Sequence, residues 1–160
     1  MIYERITSDP EFDNSRQSHE YLYQIIGKLT EPTDKIVDMA CGTGYGRMFL
    51  KGKYIGVDKE DLCQNIVADL NTWTPDFDYD VAISFETIEH LADYTQLVKN
   101  LKKAKRLIAL STPIVPTKHR NEYHLQDFTV EQVEEMFKEF KLVYKEIQNN
   151  LYGVWIWSVS

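Results

Sequence analysis

The stretch Lys35-Ile36-Val37-Asp38-Met39-Ala40-Cys41-Gly42-Thr43-Gly44-Tyr45-Gly46 is an apolar run that closes on small residues and leads into Arg47-Met48-Phe49-Leu50. It reads as a short β-strand entering a Gly-rich turn that opens a helix. Gly42 and Gly44 leave room for positive φ and for close approach of a ligand to the backbone. In an α/β fold, a ligand held by such a turn sits over the carboxyl end of the first strand.

The departures from known turns narrow the ligand. A dinucleotide turn beginning Gly42-x-Gly44 requires its third Gly at position 47, which is Arg47. No Gly-Lys-Ser/Thr follows, which excludes a P-loop. Asp38 at the strand end suits a ligand carrying an amine. The second strand, Lys53-Tyr54-Ile55-Gly56-Val57-Asp58, ends in a carboxylate about twenty residues on, the separation at which an acid accepts from ribose hydroxyls. The third, Asn65-Ile66-Val67-Ala68-Asp69-Leu70, ends in an acid placed to accept from an adenine amine. Amine, ribose and adenine together describe S-adenosylmethionine (SAM).

With these segments in hand, the chain resembles the class I SAM-dependent methyltransferases over nearly its whole length. Val37 to Gly46 looks like the first motif of that superfamily, Gly56-Val57-Asp58 the second and Ala68-Asp69-Leu70 the third. Tyr79 to Leu91 looks like the fourth and Arg106 to Pro113 the fifth. The resemblance implies a Rossmann-like seven-stranded methyltransferase sheet with an antiparallel last strand, in a minimal single α/β domain. It also implies a donor site built from Asp38, Ala40, Gly42, Gly44, Asp58, Asp69, Leu70 and Phe85. Ala40 stands where Gly is commonest, a change of little cost unless φ is positive there. Glu4-Arg5 with Pro10-Glu11, and His19-x-x-Leu22-Tyr23, resemble the opening of a bacterial group of small-molecule and sugar methyltransferases, with Leu22 in place of an Arg. Residues 1–30 are expected to form an N-terminal lid or helix segment, and 31–160 the SAM-binding core.

The periodicity places strands near 35–40, 53–58, 65–69, 79–85, 105–111, 141–148 and 153–159. Asp93-x-x-Gln96 and Thr129-x-x-Gln132 read as capping boxes for two helices, with core stripes Tyr94, Leu97, Val98, Leu101 and Val130, Val133, Phe137, Phe140. The last two strands are too close in sequence for a parallel crossover and must form a hairpin. Between strands two and three there is room for one helical turn or none.

Composition bounds the rest. The net charge is −7, from 25 acids and 18 bases, the wrong balance for long nucleic acid. The basic run Lys99 to Arg106 lies where a helix ends, and is expected to complement its dipole. Without a long apolar stretch or a leader, and with Cys41 and Cys63 spaced unlike metal ligands, a cytoplasmic protein with reduced thiols and no membrane association is expected. Oligomeric state is left open.

Glu86-Thr87-Ile88-Glu89-His90 would direct Glu86, Glu89 and His90 to one face of a helical turn, and His124 arrives from the next loop. The pattern resembles the divalent-metal site of small-RNA terminal 2′-O-methyltransferases. Two carboxylates and two imidazoles suit Mg, Mn or a borderline ion. The alternative is that the acids serve a helix start and His90, with Glu89, acts as general base without metal. His19 and His119 are expected on the surface or in loops. Methyl transfer to an oxygen of a small molecule or sugar is expected, because an aromatic-Pro-Pro-Tyr turn typical of nitrogen acceptors is replaced by Phe85-Glu86-Thr87-Ile88. RNA 3′-end methylation and a non-catalytic SAM-binding subunit are the rival readings.

Overall fold

The structure, a computed structural model, describes residues 13–62 and 64–159, with side chains from Gln17 onward. The Glu4-Arg5 and Pro10-Glu11 pairs, and Cys63, lie outside the described residues. In chain order the elements are α1 (Asp13–Gly27), β1 (Lys35–Met39), a 3-10 helix (Tyr45–Phe49), β2 (Lys53–Asp58), β3 (Ile66–Val67) and β4 (Val81–Phe85). A second 3-10 helix (Ile88–His90), α2 (Thr95–Lys102), β5 (Leu107–Pro113), α3 (Val130–Met136), β6 (Lys141–Gln148) and β7 (Tyr152–Ser158) follow.

The strands form one seven-stranded sheet in the order β3-β2-β1-β4-β5-β7-β6. The first five pair in parallel, and β7 runs antiparallel to both β5 and β6. The hairpin forms because Asn149 (φ 53°) and Asn150 (φ 57°) both adopt the left-handed conformation, which Asn tolerates and which matches the twist of paired strands. From β1 the chain goes outward to β2 and β3, then returns across β1 to β4. That reversal opens a crevice at the carboxyl edge, between β1 and β4.

Each face of the sheet has its own apolar layer. Leu97 and Leu101 of α2, Val133 of α3 and Phe137 just past its end pack with Trp155 and Trp157 on one face, and Leu22, Tyr23 and Ile26 of α1 cover the other. The stripes expected on α2 and α3 are therefore core. The capping box at α3 forms in both directions, through Thr129 Oγ1 and the Gln132 side chain. At α2 it does not form. Asp93 Oδ1 accepts from the Thr95 amide in a local turn, and Gln96 reaches forward to Asn100 Oδ1 at 2.8 Å.

The helix expected after the Gly-rich turn shrinks to a 3-10 turn, because β2 begins at Lys53 and α1 occupies the space above. A Cβ on Gly46 would stand 2.5 Å from the Tyr23 ring, so α1 packs directly on this turn. Between β2 and β3 no helix is present among the described residues. Gln64 knits that link instead, its amide nitrogen donating to the carbonyls of Asp58, Glu60 and Ile66 and its oxygen accepting from the Leu62 amide.

The basic run is consumed by local pairing. Lys99 and Lys102 lie in the last turn of α2, Lys102 pairs with Glu139 at 2.6 Å, and Lys105 with Asp78 at 2.8 Å. Arg106 forks onto buried Asp34 and the Leu29 carbonyl. Among the described residues, no helix is long and apolar enough to cross a membrane.

Candidate active site

The crevice at the switch point holds a cavity of about 340 Å³. One end is walled by Ala40, Cys41 and Gly42 after β1, Asp58 at the end of β2, and Asp69 and Leu70 after β3. Phe85, Glu86 and His90 wall it after β4, with Glu122 and Tyr123 from the loop after β5 and His19 and Tyr23 from α1. Six of the eight expected donor-site residues line one space.

The turn itself is built by hydrogen bonds. The amides of Ala40 and Cys41 both donate to the Val57 carbonyl, at 2.8 and 3.0 Å, and the Gly44 amide donates back to Cys41. Gly42 (φ 59°) and Gly44 (φ 78°) take the expected left-handed conformation. So does Ala40, at φ 69°, which is the condition under which Ala is costly there, by about 1 kcal/mol or more. Asp58 is buried. Its Oδ2 accepts from the Gly42 amide at 2.9 Å and its Oδ1 from Glu60 at 3.2 Å. The Gly42 amide, expected to face a ligand, is thus spent on anchoring the turn to β2. Gly44 caps the 3-10 helix and does not line the cavity. Asp69 accepts from the backbone and side-chain nitrogens of Asn71, which hold its carboxyl below the usual carboxylate range.

Asp38 lies behind the wall, 1% exposed. Its Oδ2 accepts from Tyr54 at 2.5 Å and from Tyr23 at 2.7 Å, while Oδ1 is buried without a hydrogen-bond partner among the described residues. Burial pushes its carboxyl up to about 6 against the opposing pull of the two tyrosine hydroxyls. Burial also drives both phenols, and the Cys41 thiol, well above their ordinary ranges, so none of them ionises near neutral pH.

At the other end, Glu89, His90 and His124 bring ligand atoms within 4.8 Å of one another. The His90 and His124 rings meet edge to face at 4.6 Å, and His90 Nε2 is 3.7 Å from Glu89 Oε1. His90 Nδ1 lies 3.0 Å from the Tyr123 carbonyl, which can only accept, so Nδ1 carries a proton and donates it there. Thr117 Oγ1 stands 2.7 Å from His124 Nδ1, and Thr112 donates to Glu89 Oε2 at 3.1 Å. The Glu89 carbonyl accepts from the amides of Leu125 and Gln126, which docks the loop carrying His124.

Glu86 does not join this group. Its backbone is left-handed (φ 49°) and it precedes the 3-10 helix, so the helical spacing that would bring it beside Glu89 and His90 is broken. It faces the cavity separately, its amide held by Ser111. His19, expected at the surface, lines the cavity from α1, whereas His119 is exposed. Glu89 is 2% exposed and is not on the wall. Tyr23 and Tyr54 received no role from the sequence. The available signal was the helical spacing of His19 and Tyr23, which puts both on one side of α1.

No protein-family model matches the chain, and no curated protein matches it. Solved structures do. A SAM-dependent methyltransferase from Mesorhizobium loti is 13% identical with TM-score 0.62, covering 78% of this chain and 90% of its own. Magnesium protoporphyrin IX methyltransferase from Synechocystis PCC 6803 with bound SAH is 13% identical with TM-score 0.69, covering 99% and 91%. The cyclase SpnF is 10% identical with TM-score 0.71, covering 89% and 81%. What these share with the chain is the fold, which is the Rossmann-like fold of class I SAM-dependent methyltransferases. A cyclase among them shows that this fold alone does not name a reaction.

Proposed function

We propose that the chain is a SAM-dependent methyltransferase acting on an oxygen of a small molecule or sugar. The observation that carries this is the cavity at the switch point, whose walls come from the ends of β1, β2, β3 and β4 at once and include the His90 imidazole, held at Nδ1 by the Tyr123 carbonyl. The residues fit the donor. Asp58 at the end of β2 would accept from ribose hydroxyls and Asp69 from the adenine amine, Leu70 and Phe85 supply apolar wall, and Asp38, just behind that wall, would supply negative charge for an amine. A bound sulfonium donor supplies an already activated methyl group. The chain then has to align the acceptor and take its proton, and His90 Nε2 is the base, with Tyr123 fixing the tautomer.

The alternative to that base role is a divalent ion held by Glu89, His90 and His124, in which case His90 Nε2 is a ligand and not the base. With Glu86 outside the group, the donor set is two imidazoles and one carboxylate, which favours Mn or another borderline ion over Mg. Such an ion would hold neighbouring acceptor oxygens and lower an oxygen's proton affinity. The seating of His124 against His90 is the one observation that favours the second reading, metal-dependent 2′-O-methylation of RNA 3′ ends.

The test is calorimetric titration with SAM, followed by methyl transfer from it across sugars, phenols and RNA 3′ ends, with and without chelator. Donor binding with turnover on a small acceptor supports the proposal. Turnover on RNA ends alone supports the second reading, donor binding without turnover on any acceptor points to a partner subunit, and absence of donor binding overturns all three. Activity that survives chelator but not His90→Ala removes the metal and keeps the base.

A further inference from the structure

We propose that Tyr23 and Tyr54, acting through Asp38, are specificity-determining residues for the amine of the methyl donor: with Asp38 ionised both hydroxyls are committed to it as donors, and the assembly accepts a cation. This rests on the donor site proposed above.

The two hydroxyls converge on the same oxygen, Oδ2, from different elements, Tyr23 from α1 and Tyr54 from β2. That leaves Oδ1 buried without a hydrogen-bond partner among the described residues. A buried carboxylate half satisfied in this way is costly, and a positive charge in the adjoining cavity offsets the cost. Tyr23 is the link, because it both donates to Asp38 and lines the cavity. A phenol whose proton is already given away can only accept from a ligand, so it selects an N–H donor such as an ammonium.

The groups facing this assembly are neutral, acidic and, at one point, basic. The turn contributes the neutral Cys41 thiol, the end of β2 the Asp58 carboxylate, and the 3-10 helix Tyr45, edge-on to Tyr23 at 5.6 Å. Arg47, from the same 3-10 helix, lies over the Tyr54 ring at 5.0 Å. Protonation of Asp38 ends the selection for a cation. A proton taken up at Oδ1 leaves both tyrosine hydrogen bonds to Oδ2 in place but removes the charge that selects the amine. Burial holds the carboxyl at about 6, so the change falls in mildly acid solution.

The experiment compares the Kd of S-adenosylhomocysteine with that of 5′-methylthioadenosine, which lacks the amino-acid part, by calorimetry between about pH 5 and about pH 7.5. For the first ligand, Kd should rise toward about tenfold per pH unit below about 6, while the second stays flat. Tyr54→Phe keeps the ring and should move the break to higher pH, because a carboxylate that loses a hydroxyl donor holds its proton more tightly. Asp38→Asn should bind the first ligand weakly with no break, any residual slope measuring the cavity's histidines. Equal slopes for the two ligands, or a break that Tyr54→Phe leaves in place, overturn the inference. If neither ligand binds at any pH, the donor site itself is wrong and this inference falls with it. If only 5′-methylthioadenosine binds, the nucleoside site stands and the amine recognition fails.

Discussion

The two halves of the sheet are held together by different physics. In β4-β5-β7-β6 the connections include α2 and α3, and large side chains do the work: Trp155 and Trp157 are fully buried, and Phe137 stacks on Trp157 at 4.5 Å. In β3-β2-β1 the connections hold one 3-10 helix, and polar side chains tie the backbone together. Asp58 holds Gly42, Asn65 accepts from the Gly56 amide at 2.9 Å, and Gln64 bridges three carbonyls. The difference teaches that the half facing the proposed donor trades apolar bulk for hydrogen bonds that fix backbone position. Stability should then reside mainly in one half and ligand geometry in the other.

The largest effect should come from Trp157→Ala, which empties the centre of the helical half. It should cost about 3–5 kcal/mol in urea denaturation. A loss under about 1 kcal/mol would show that the division between halves is wrong. Asp58→Ala should do the reverse, weakening S-adenosylhomocysteine binding by about 1–3 kcal/mol in calorimetry. Unchanged affinity would remove Asp58 from the donor site.

Asp38 sharpens the comparison through pH. Its folded carboxyl, at about 6, lies above the ordinary 3.8, so the folded state holds the proton more tightly. Its contribution therefore favours folding in acid and is lost as pH rises from about 4 to about 6. Asp38→Asn should raise stability near pH 7.5 by on the order of 2 kcal/mol, with little change near pH 4. Equal stability of the two proteins at pH 7.5 would mean that the buried charge is compensated in the free protein. The smallest effect is expected at Ala40. Ala40→Gly relieves the left-handed backbone and should raise stability by about 1 kcal/mol, read as a higher Tm. A lower Tm would show that the Ala side chain contributes more packing than the backbone loses in strain.

Much of this was legible in the residues. Strand runs, the hairpin at Asn149-Asn150, the capping box at Thr129 and the clustering of strand-end residues around one crevice all follow from local chemistry and spacing. The site's finer structure was less legible. Helical spacing would place Glu86 with Glu89 and His90, yet a single left-handed residue separates it from them. The helix expected after Gly46 is a 3-10 turn because α1, an element distant in sequence, fills that space.

Local sequence was enough for the order of the strands along the chain, the Gly-rich turn after β1 and the antiparallel finish, because each depends on side-chain periodicity or backbone preference over a few neighbouring residues. Tertiary structure alone decided that Tyr23 and Tyr54 both spend their hydroxyls on Asp38, and that the Glu89 carbonyl docks the loop whose His124 was expected beside His90. Those meetings join side chains far apart in the sequence. They depend on how whole elements pack, and packing leaves no periodic trace in the segments it brings together.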